Sequence, residues 1–291
     1  MEHVPVLLTE VLEYLAIRPR GVYVDATFGG GGHSRAILSR LRGGRLIALD
    51  VDPEAVARAA AIGHPSFTFV RANFCDLEAV ASRLELPQLD GVLFDLGVSS
   101  MQIDDSRRGF SMTKTAPLDM RMNSYQGRSA FEVLSSASER ELAEIFHAYG
   151  EERGARRVAR AIVSRRRAGT LPTTTTDFAR FVAGVLARRG RRERIHPATR
   201  VFQALRIAVN GELEALQAGL HAAVDRLRAG GRVVTISFHS LEDRIVKQGL
   251  RSDGRIEVLT KKPVRPSERE IAENPRARSA KLRAGERRPE R

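Results

Sequence analysis

The sequence predicts a doubly wound α/β sheet interrupted by an inserted helical domain, and three observations carry that prediction. Apolar runs of strand length alternate with helical patterns over the first hundred residues, as in a parallel sheet buried on both faces. The alternation stops after residues 91–95, and only loop signals and helical periodicity follow to about residue 210. It then resumes, so the simplest account is an insertion after the fourth strand.

In chain order, a helical pattern at residues 8–16 precedes a β-branched strand at 22–26. That strand runs into four consecutive glycines, Gly29, Gly30, Gly31 and Gly32, and a helix follows at once. Glycines at a strand-to-helix turn let backbone N–H groups approach a ligand, usually a nucleotide-like cofactor at the carboxyl end of the sheet. A second strand at 45–50 leads through Pro53 to an alanine-rich helix. A third, at 67–71, precedes a helix from about Asp76, and a fourth, at 91–95, ends in Asp95. The insert shows helical periodicity at 130–135, 139–149, 155–167, 177–188 and 198–209. The sheet pattern returns with a helix at 212–228, the pair Gly230-Gly231, a strand at 232–238, a helix at 241–250 and a strand near 256–259. The predicted domains are therefore 1–103 with 211–291, and the insert 104–210. The Pro- and Arg-rich tail from about Pro263 is expected to be partly disordered.

The 291 residues suffice for a full core and two domains. One cysteine, Cys75, excludes an internal disulfide and suits a reducing compartment. The N-terminus lacks a basic region followed by an apolar stretch, and no apolar run nears the roughly 18 residues of a membrane span, so a cytoplasmic location without membrane association is expected. The net charge of +13 is unevenly placed. Residues 1–103 carry 9 basic and 12 acidic side chains, whereas residues 153–206 carry 15 arginines against Asp177 and Glu193. Arginine-favouring codon usage explains the preference for Arg over Lys but not this asymmetry. A polyanionic partner, most simply nucleic acid, does explain it.

The strand ends supply a cofactor site. Asp50 ends the second strand, where a carboxylate can accept both hydroxyls of a ribose. Asp52 lies beyond the strand and suits a cap for the helix that begins at Pro53. Phe74 follows the third strand, either as a core ring or as a platform for adenine. Asp95 stands at the boundary between cofactor and substrate. The glycine turn lacks the spaced G-x-G-x-x-G pattern and by itself favours a dinucleotide no more than S-adenosylmethionine. No His, Cys and carboxylate cluster has metal-ligand spacing, and no metal is expected.

Several longer motifs occur in order along the chain. They include His3-x-Pro5-Val6-Leu7-Leu8-x-Glu10, Asp25-x-Thr27-Phe28-Gly29-x-Gly31-Gly32-His33-Ser34, Asp50-x-Asp52-Pro53 and Asp95-Leu96-Gly97-Val98-Ser99-Ser100-x-Gln102. Pro117-Leu118-Asp119-Met120-Arg121-Met122, Tyr149-Gly150-Glu151-Glu152 and Pro197-Ala198-Thr199-Arg200-x-Phe202-Gln203 follow. Ser237-Phe238-His239-Ser240-Leu241-Glu242-Asp243-Arg244 and Asn274-Pro275-Arg276-Ala277-Arg278-Ser279 complete the series. On these residues the chain resembles the bacterial 16S rRNA (cytosine-N4)-methyltransferase family over nearly its whole length.

The resemblance implies a class I S-adenosylmethionine-dependent methyltransferase, Rossmann-like, with an inserted all-helical domain. It implies S-adenosyl-L-methionine bound through Gly31, Gly32, His33, Asp50, Phe74, Asp95 and Gln102; His33 and Gln102 rest on the resemblance alone. The implied substrate is a decoding-centre (P-site) cytosine of 16S rRNA, reached within the small ribosomal subunit. The oligomeric state stays open, a homodimer included.

The cytosine N4 lone pair is delocalised into the ring, so the reaction calls for an acceptor aimed at the N4 hydrogens. DNA amino-methyltransferases use a Ser/Asp/Asn-Pro-Pro-Tyr loop at this point; Asp95-Leu96-Gly97-Val98 departs from it. Asp95 is the first candidate for the catalytic role, with Ser99 or Ser100 nearby in the chain, or it serves the cofactor alone. His239 and Asp119 are weaker candidates. Against them stand a cap by Ser240 with a local Asp243–Arg244 pair, and a structural Asp119–Arg121 ion pair. Arg156, Arg157, Arg160 and Arg166 share a helical pattern whose Val158, Ile162 and Val163 are available for burial, and Arg191 and Arg192 lie in an arginine run. These six are the candidate RNA contacts.

Other readings remain distinguishable. A dinucleotide-dependent oxidoreductase would share Asp50 and the sheet, and a non-catalytic small-subunit assembly factor would share the basic insert. A methyltransferase of the same fold acting on another RNA, a protein or a lipid is the nearer alternative.

Overall fold

A computed structural model of the chain describes residues 5–187 and 196–289. It divides into two compact units, Met1–Gly97 with Leu213–Arg291, and Val98–Glu212. Among the described residues, no helix is long and apolar enough to cross a membrane.

The first unit is built on a seven-stranded sheet of order β3-β2-β1-β4-β5-β7-β6. The strands are β1 (Val22–Asp25), β2 (Arg45–Asp50), β3 (Phe67–Arg71), β4 (Leu89–Asp95), β5 (Leu227–Ser237), β6 (Ile256–Val258) and β7 (Lys281–Arg287). β3, β2, β1, β4 and β5 pair in parallel, and β7 runs antiparallel between β5 and β6. Successive strand residues face opposite sides. Val24, Ile47, Val92, Phe94 and Val233 pack with α4 (Leu77–Arg83), α11 (Glu212–Arg226) and α12 (Ser240–Ser252). Tyr23, Leu46, Leu93, Val234 and Ile236 pack with α1 (Leu8–Leu15) and α2 (Gly32–Leu38) on the other side. Both faces are buried, which is why these strands read as continuous apolar runs. The strand order reverses between β1 and β4, and ligands of open α/β sheets bind at that switch point, beyond the carboxyl ends of the strands.

Within this first unit the fold departs from the sequence expectation at two places. β5 begins at Leu227, before the glycine pair rather than after it, because the chain passes Gly230 (φ 72°) and Gly231 at a register shift opposite Leu89 and Gly91. A Cβ on Gly231 would lie 2.7 Å from the Leu89 carbonyl oxygen; the glycines permit a bulge rather than ending the strand. The tail, expected to be partly disordered, is ordered through its described residues. It forms α13 (Glu268–Glu273), a 3-10 turn at Pro275–Ser279, and β7. Its small apolar residues Ala277, Ala280, Leu282 and Ala284 are buried, and Arg283 Nε donates to Asp243 Oδ1 at 2.6 Å. Alternating charges hid a strand that a buried ion pair makes compatible with the sheet.

Among its described residues the second unit consists of helices and loops, with an isolated bridge between Pro117 and Thr174. It contains α5 (Ser100–Asp104), α6 (Ala130–Ser136), α7 (Glu139–Ala148), α8 (Ala155–Arg167), α9 (Thr175–Leu186) and α10 (Thr199–Asn210). Its own core joins Leu134, Phe146, Ile162, Phe178, Phe202 and Leu205. Capping boxes at Ser99, Ser129 and Ser138 fix the starts of α5, α6 and α7. Helix α5 falls where the sequence reads as a loop, its five residues being too few to show a period.

Candidate functional site

At the carboxyl end of β1, Asp25 is buried and anchors the glycine turn from beneath. Its Oδ2 accepts from Ser34 Oγ at 2.6 Å and its Oδ1 from the Thr27 amide at 3.2 Å. Burial pushes this carboxyl above the usual range, with the Ser34 hydroxyl opposing the shift. The turn above it is fixed mainly by the protein's own packing. Gly31 has φ 75°, and a Cβ there would lie 2.8 Å from the Phe28 ring; a Cβ on Gly32 would lie 2.4 Å from Pro5. The Gly29 amide donates to Asp50 Oδ2 at 2.8 Å and the Gly31 amide to the Phe28 carbonyl at 2.7 Å. Two of the four amides expected to meet a ligand are thus engaged internally, so Gly31 contributes the bend rather than its N–H.

Asp50 closes β2. Besides Gly29 it accepts from the Asp52 amide at 2.9 Å, and burial raises its carboxyl to about 6 despite these bonds. Asp52 is buried and accepts from the Glu54 amide at 3.0 Å in the turn before α3 (Ala55–Ala60). That helix starts later than the sequence suggested, with Glu54 at its N-cap and no side-chain cap, so Asp52 fixes the turn rather than capping the helix. Arg58 ties these pieces together, with Nε donating to the Gly29 carbonyl at 3.0 Å and Nη2 3.7 Å from Asp52 Oδ2. After β3, Asn73 caps the 3-10 turn that carries Phe74. The Phe74 ring meets Phe94 edge to face at 5.7 Å and stays half-buried, so it is part of the core and retains exposed surface.

Across the switch point, Asp95 ends β4, its amide donating to Thr27 Oγ1 at 2.6 Å. Its Oδ2 lies 3.5 Å from Nε2 of His33, which is buried in the first turn of α2. Among the described residues, neither ring nitrogen of His33 nor Asp95 Oδ1 has a hydrogen-bond partner, although all three atoms are buried. Buried polar atoms are ordinarily satisfied. Such a cluster beside a glycine turn fits a polar ligand that completes it.

The structure gives several other candidates structural work. His239, rather than Ser240, caps α12: its Nδ1 accepts from the Glu242 amide at 3.4 Å, and Nε2 lies 3.1 Å from Glu242 Oε1. Asp243 pairs with Arg283 and Lys281 of β7. In the helical unit, Asp119 forms a two-pronged pair with Arg121, at 2.9 Å to Nε and 2.7 Å to Nη2. Burial opposes ionisation of Asp119, but Arg121 holds its carboxyl below the usual range. Gln102 is buried in α5, where its Oε1 accepts from the Ser99 amide at 2.9 Å, so part of its capacity serves the capping box.

On α8, Val158, Ala159, Ile162 and Val163 are buried, while Arg156, Arg157 and Arg160 are exposed. Arg160 approaches Glu139 at 3.5 Å. Arg166 departs from the sequence reading: its Nη1 donates to the carbonyls of Leu134 and Ala137, at 3.3 and 2.8 Å, holding the end of α6. Arg191 and Arg192 lie outside the described residues. Sequence reading missed Asp25, Ser34 and Arg58 as supports of the site. Asp25, an acid ending an apolar strand, is the one signal that pointed to them.

The same chain has close relatives among known proteins. A family profile described as the MraW methylase family matches residues 1–288. The chain is 50% identical over 307 residues to the ribosomal RNA small subunit methyltransferase H of Thermomicrobium roseum, covering 98% of this chain and 93% of that protein. It is 50% identical over 306 residues to the protein of the same name from Azoarcus sp., covering 99% and 97%. Among solved structures, an rRNA methylase from Streptococcus thermophilus aligns over 99% of both chains at 11% identity, with a TM-score of 0.47.

Proposed function

The chain belongs to the MraW methylase family, and from that membership we propose that it methylates the exocyclic N4 amine of a decoding-centre (P-site) cytosine of 16S rRNA, using S-adenosyl-L-methionine. Relatives of half-identical sequence along nearly their full lengths are named small-subunit ribosomal RNA methyltransferases, which supports this reaction class. The observation that carries the cofactor reading is the set of buried polar atoms on His33 and Asp95 at the switch point that lack a hydrogen-bond partner among the described residues.

The cofactor supplies an electrophilic methyl group on a sulfonium centre. For the protein's part, Asp50 is the acceptor for ribose hydroxyls, Phe74 offers apolar surface to the adenine, and Gly31 and Gly32 shape the turn. His33 and Asp95 complete the polar set of the sheet unit. Asp95 also suits the amine: a carboxylate oxygen accepting an N4 hydrogen localises the nitrogen lone pair and orients it. Loss of the product ammonium's proton then needs only a weak base. We assign no chemical step to His239, whose Nδ1 caps a helix, or to Asp119, whose carboxylate neutralises Arg121.

Arg156, Arg157 and Arg160, exposed on the face of α8 opposite its buried residues, suit phosphate contacts to folded RNA. The target base must leave its stack to react. The substrate in this reading is the small ribosomal subunit in the cytoplasm. Incubation of tritiated S-adenosylmethionine with subunits from a strain lacking the gene, followed by nucleoside analysis, tests it. Label in N4-methylcytidine is expected. Label in another nucleoside would redirect the specificity, and binding without label would favour an assembly factor.

A further inference from the structure

One polar contact joins the two ends of the chain. Glu270, in α13, accepts the backbone N–H of Leu7 on its Oε1 at 2.7 Å. The Glu270 backbone is itself fixed, its amide donating to Ser267 Oγ at 3.1 Å. Leu7 is fully buried and left-handed, at φ 52° and ψ 37°, immediately before α1. A branched, bulky residue adopts that conformation only where its surroundings impose it. The bend at Leu7 lays the preceding segment against the glycine turn, where Pro5 occupies the space a Gly32 side chain would need, 2.4 Å from its Cβ position. Gly32 opens α2, and the next residue is His33. Val6 and Leu7 share an apolar cluster with Ala277, Ala280 and Leu282 of the tail, so the tail supports this segment by packing as well as by the carboxylate.

We propose that Glu270 is a positioning residue for the cofactor site: through Leu7 and Pro5 it seats the Gly32–His33 turn. The inference rests on the cofactor reading given above. Glu270 touches neither the turn nor His33 directly; its effect passes through the bent backbone.

The test uses the full-length chain and Glu270→Ala and Glu270→Gln variants. S-adenosylhomocysteine affinity is measured by calorimetry, KM and kcat by methyl transfer, and Tm by thermal melting. For Glu270→Ala, Kd and cofactor KM rise about tenfold, in the range typical for loss of an outer-shell support, with kcat at saturating cofactor within about threefold. Glu270→Gln keeps a carbonyl acceptor for Leu7 and restores Kd to within about twofold of the parent. A drop in Tm with unchanged Kd, or a loss that Gln does not restore, overturns the proposal. Should Glu270→Ala fail to fold, Pro5→Gly removes the contact with Gly32 while sparing the Leu7 bond; the same KM-weighted loss is expected, and unchanged cofactor binding overturns it. A parent chain that does not bind S-adenosylhomocysteine would instead overturn the cofactor reading itself.

Discussion

His33 Nε2 stands 3.5 Å from Asp95 Oδ2 at the carboxyl ends of β1 and β4, and both ring nitrogens and Asp95 Oδ1 are buried without hydrogen-bond partners among the described residues. If a ligand completes this pair, its two members act as one unit. Asp95→Ala is expected to lower kcat/KM about 100-fold or more, since it removes an acceptor from both cofactor and amine. His33→Ala is expected to weaken cofactor binding about tenfold. A double-mutant cycle on S-adenosylhomocysteine affinity should show coupling of about 1 kcal/mol; strict additivity would separate the two residues.

Asp50 predicts a pH dependence. Its carboxyl is raised to about 6 by burial. A ribose recognised through two hydroxyls binds the ionised form, so the proton must leave below that value. S-adenosylhomocysteine affinity should therefore rise with pH up to about 6, at most tenfold per unit, and level off above it. Stability of the ligand-free protein runs the other way for this group. Its folded pKa lies above the unfolded value, so its contribution is fully present at low pH and is lost as pH rises through about 6. Calorimetric titrations reaching about one unit to either side of that midpoint check the sign.

The arginines of α8 divide by what they touch. Replacing exposed Arg156, Arg157 and Arg160 with Gln should make the salt dependence of RNA binding shallower, by about 0.7–0.9 in log–log slope for each phosphate no longer neutralised. Cofactor affinity should be unchanged. Arg166→Gln should instead lower Tm, because Arg166 holds the Leu134 and Ala137 carbonyls. Filter binding across a salt series, with a melting curve for each variant, distinguishes the two classes.

The tail depends on Asp243. Its carboxylate pairs with buried Arg283, which is 5% exposed, and with Lys281. Asp243→Ala leaves Arg283 buried without its anion, a change that costs about 3–5 kcal/mol. Hydrogen exchange should show β7 losing protection first. Uniform protection across β5, β6 and β7 would mean that the pair does not hold the strand.

Much of the fold is legible in the sequence, and the gaps have physical causes. The first three strands show plainly as apolar runs of strand length, and the inserted helices α6 to α10 because each buries an apolar face at helical period. β7 does not, because its sheet position is secured by Arg283 and Asp243, an ion pair between residues far apart in the chain. Asp50 and Asp95 are recognisable as acids ending apolar strands. Their supports are not: Arg58 reaches Gly29 from another helix, and Glu270 reaches Leu7 from the opposite end of the chain. Likewise, Arg166 reads like its neighbours on α8, and only the α6 carbonyls separate it from them.

In the proposed function, the sheet unit holds the methyl donor while the helical unit meets the RNA. Parallel titrations of Asp50→Ala with S-adenosylhomocysteine and with small-subunit RNA test it most directly. Asp50 accepts from the Gly29 and Asp52 amides, both in the sheet unit. Cofactor affinity is therefore expected to fall about 30-fold or more, from loss of a charged hydrogen-bond acceptor, with RNA affinity within about twofold. Equal loss of both, or cofactor binding that matches the parent, would contradict it.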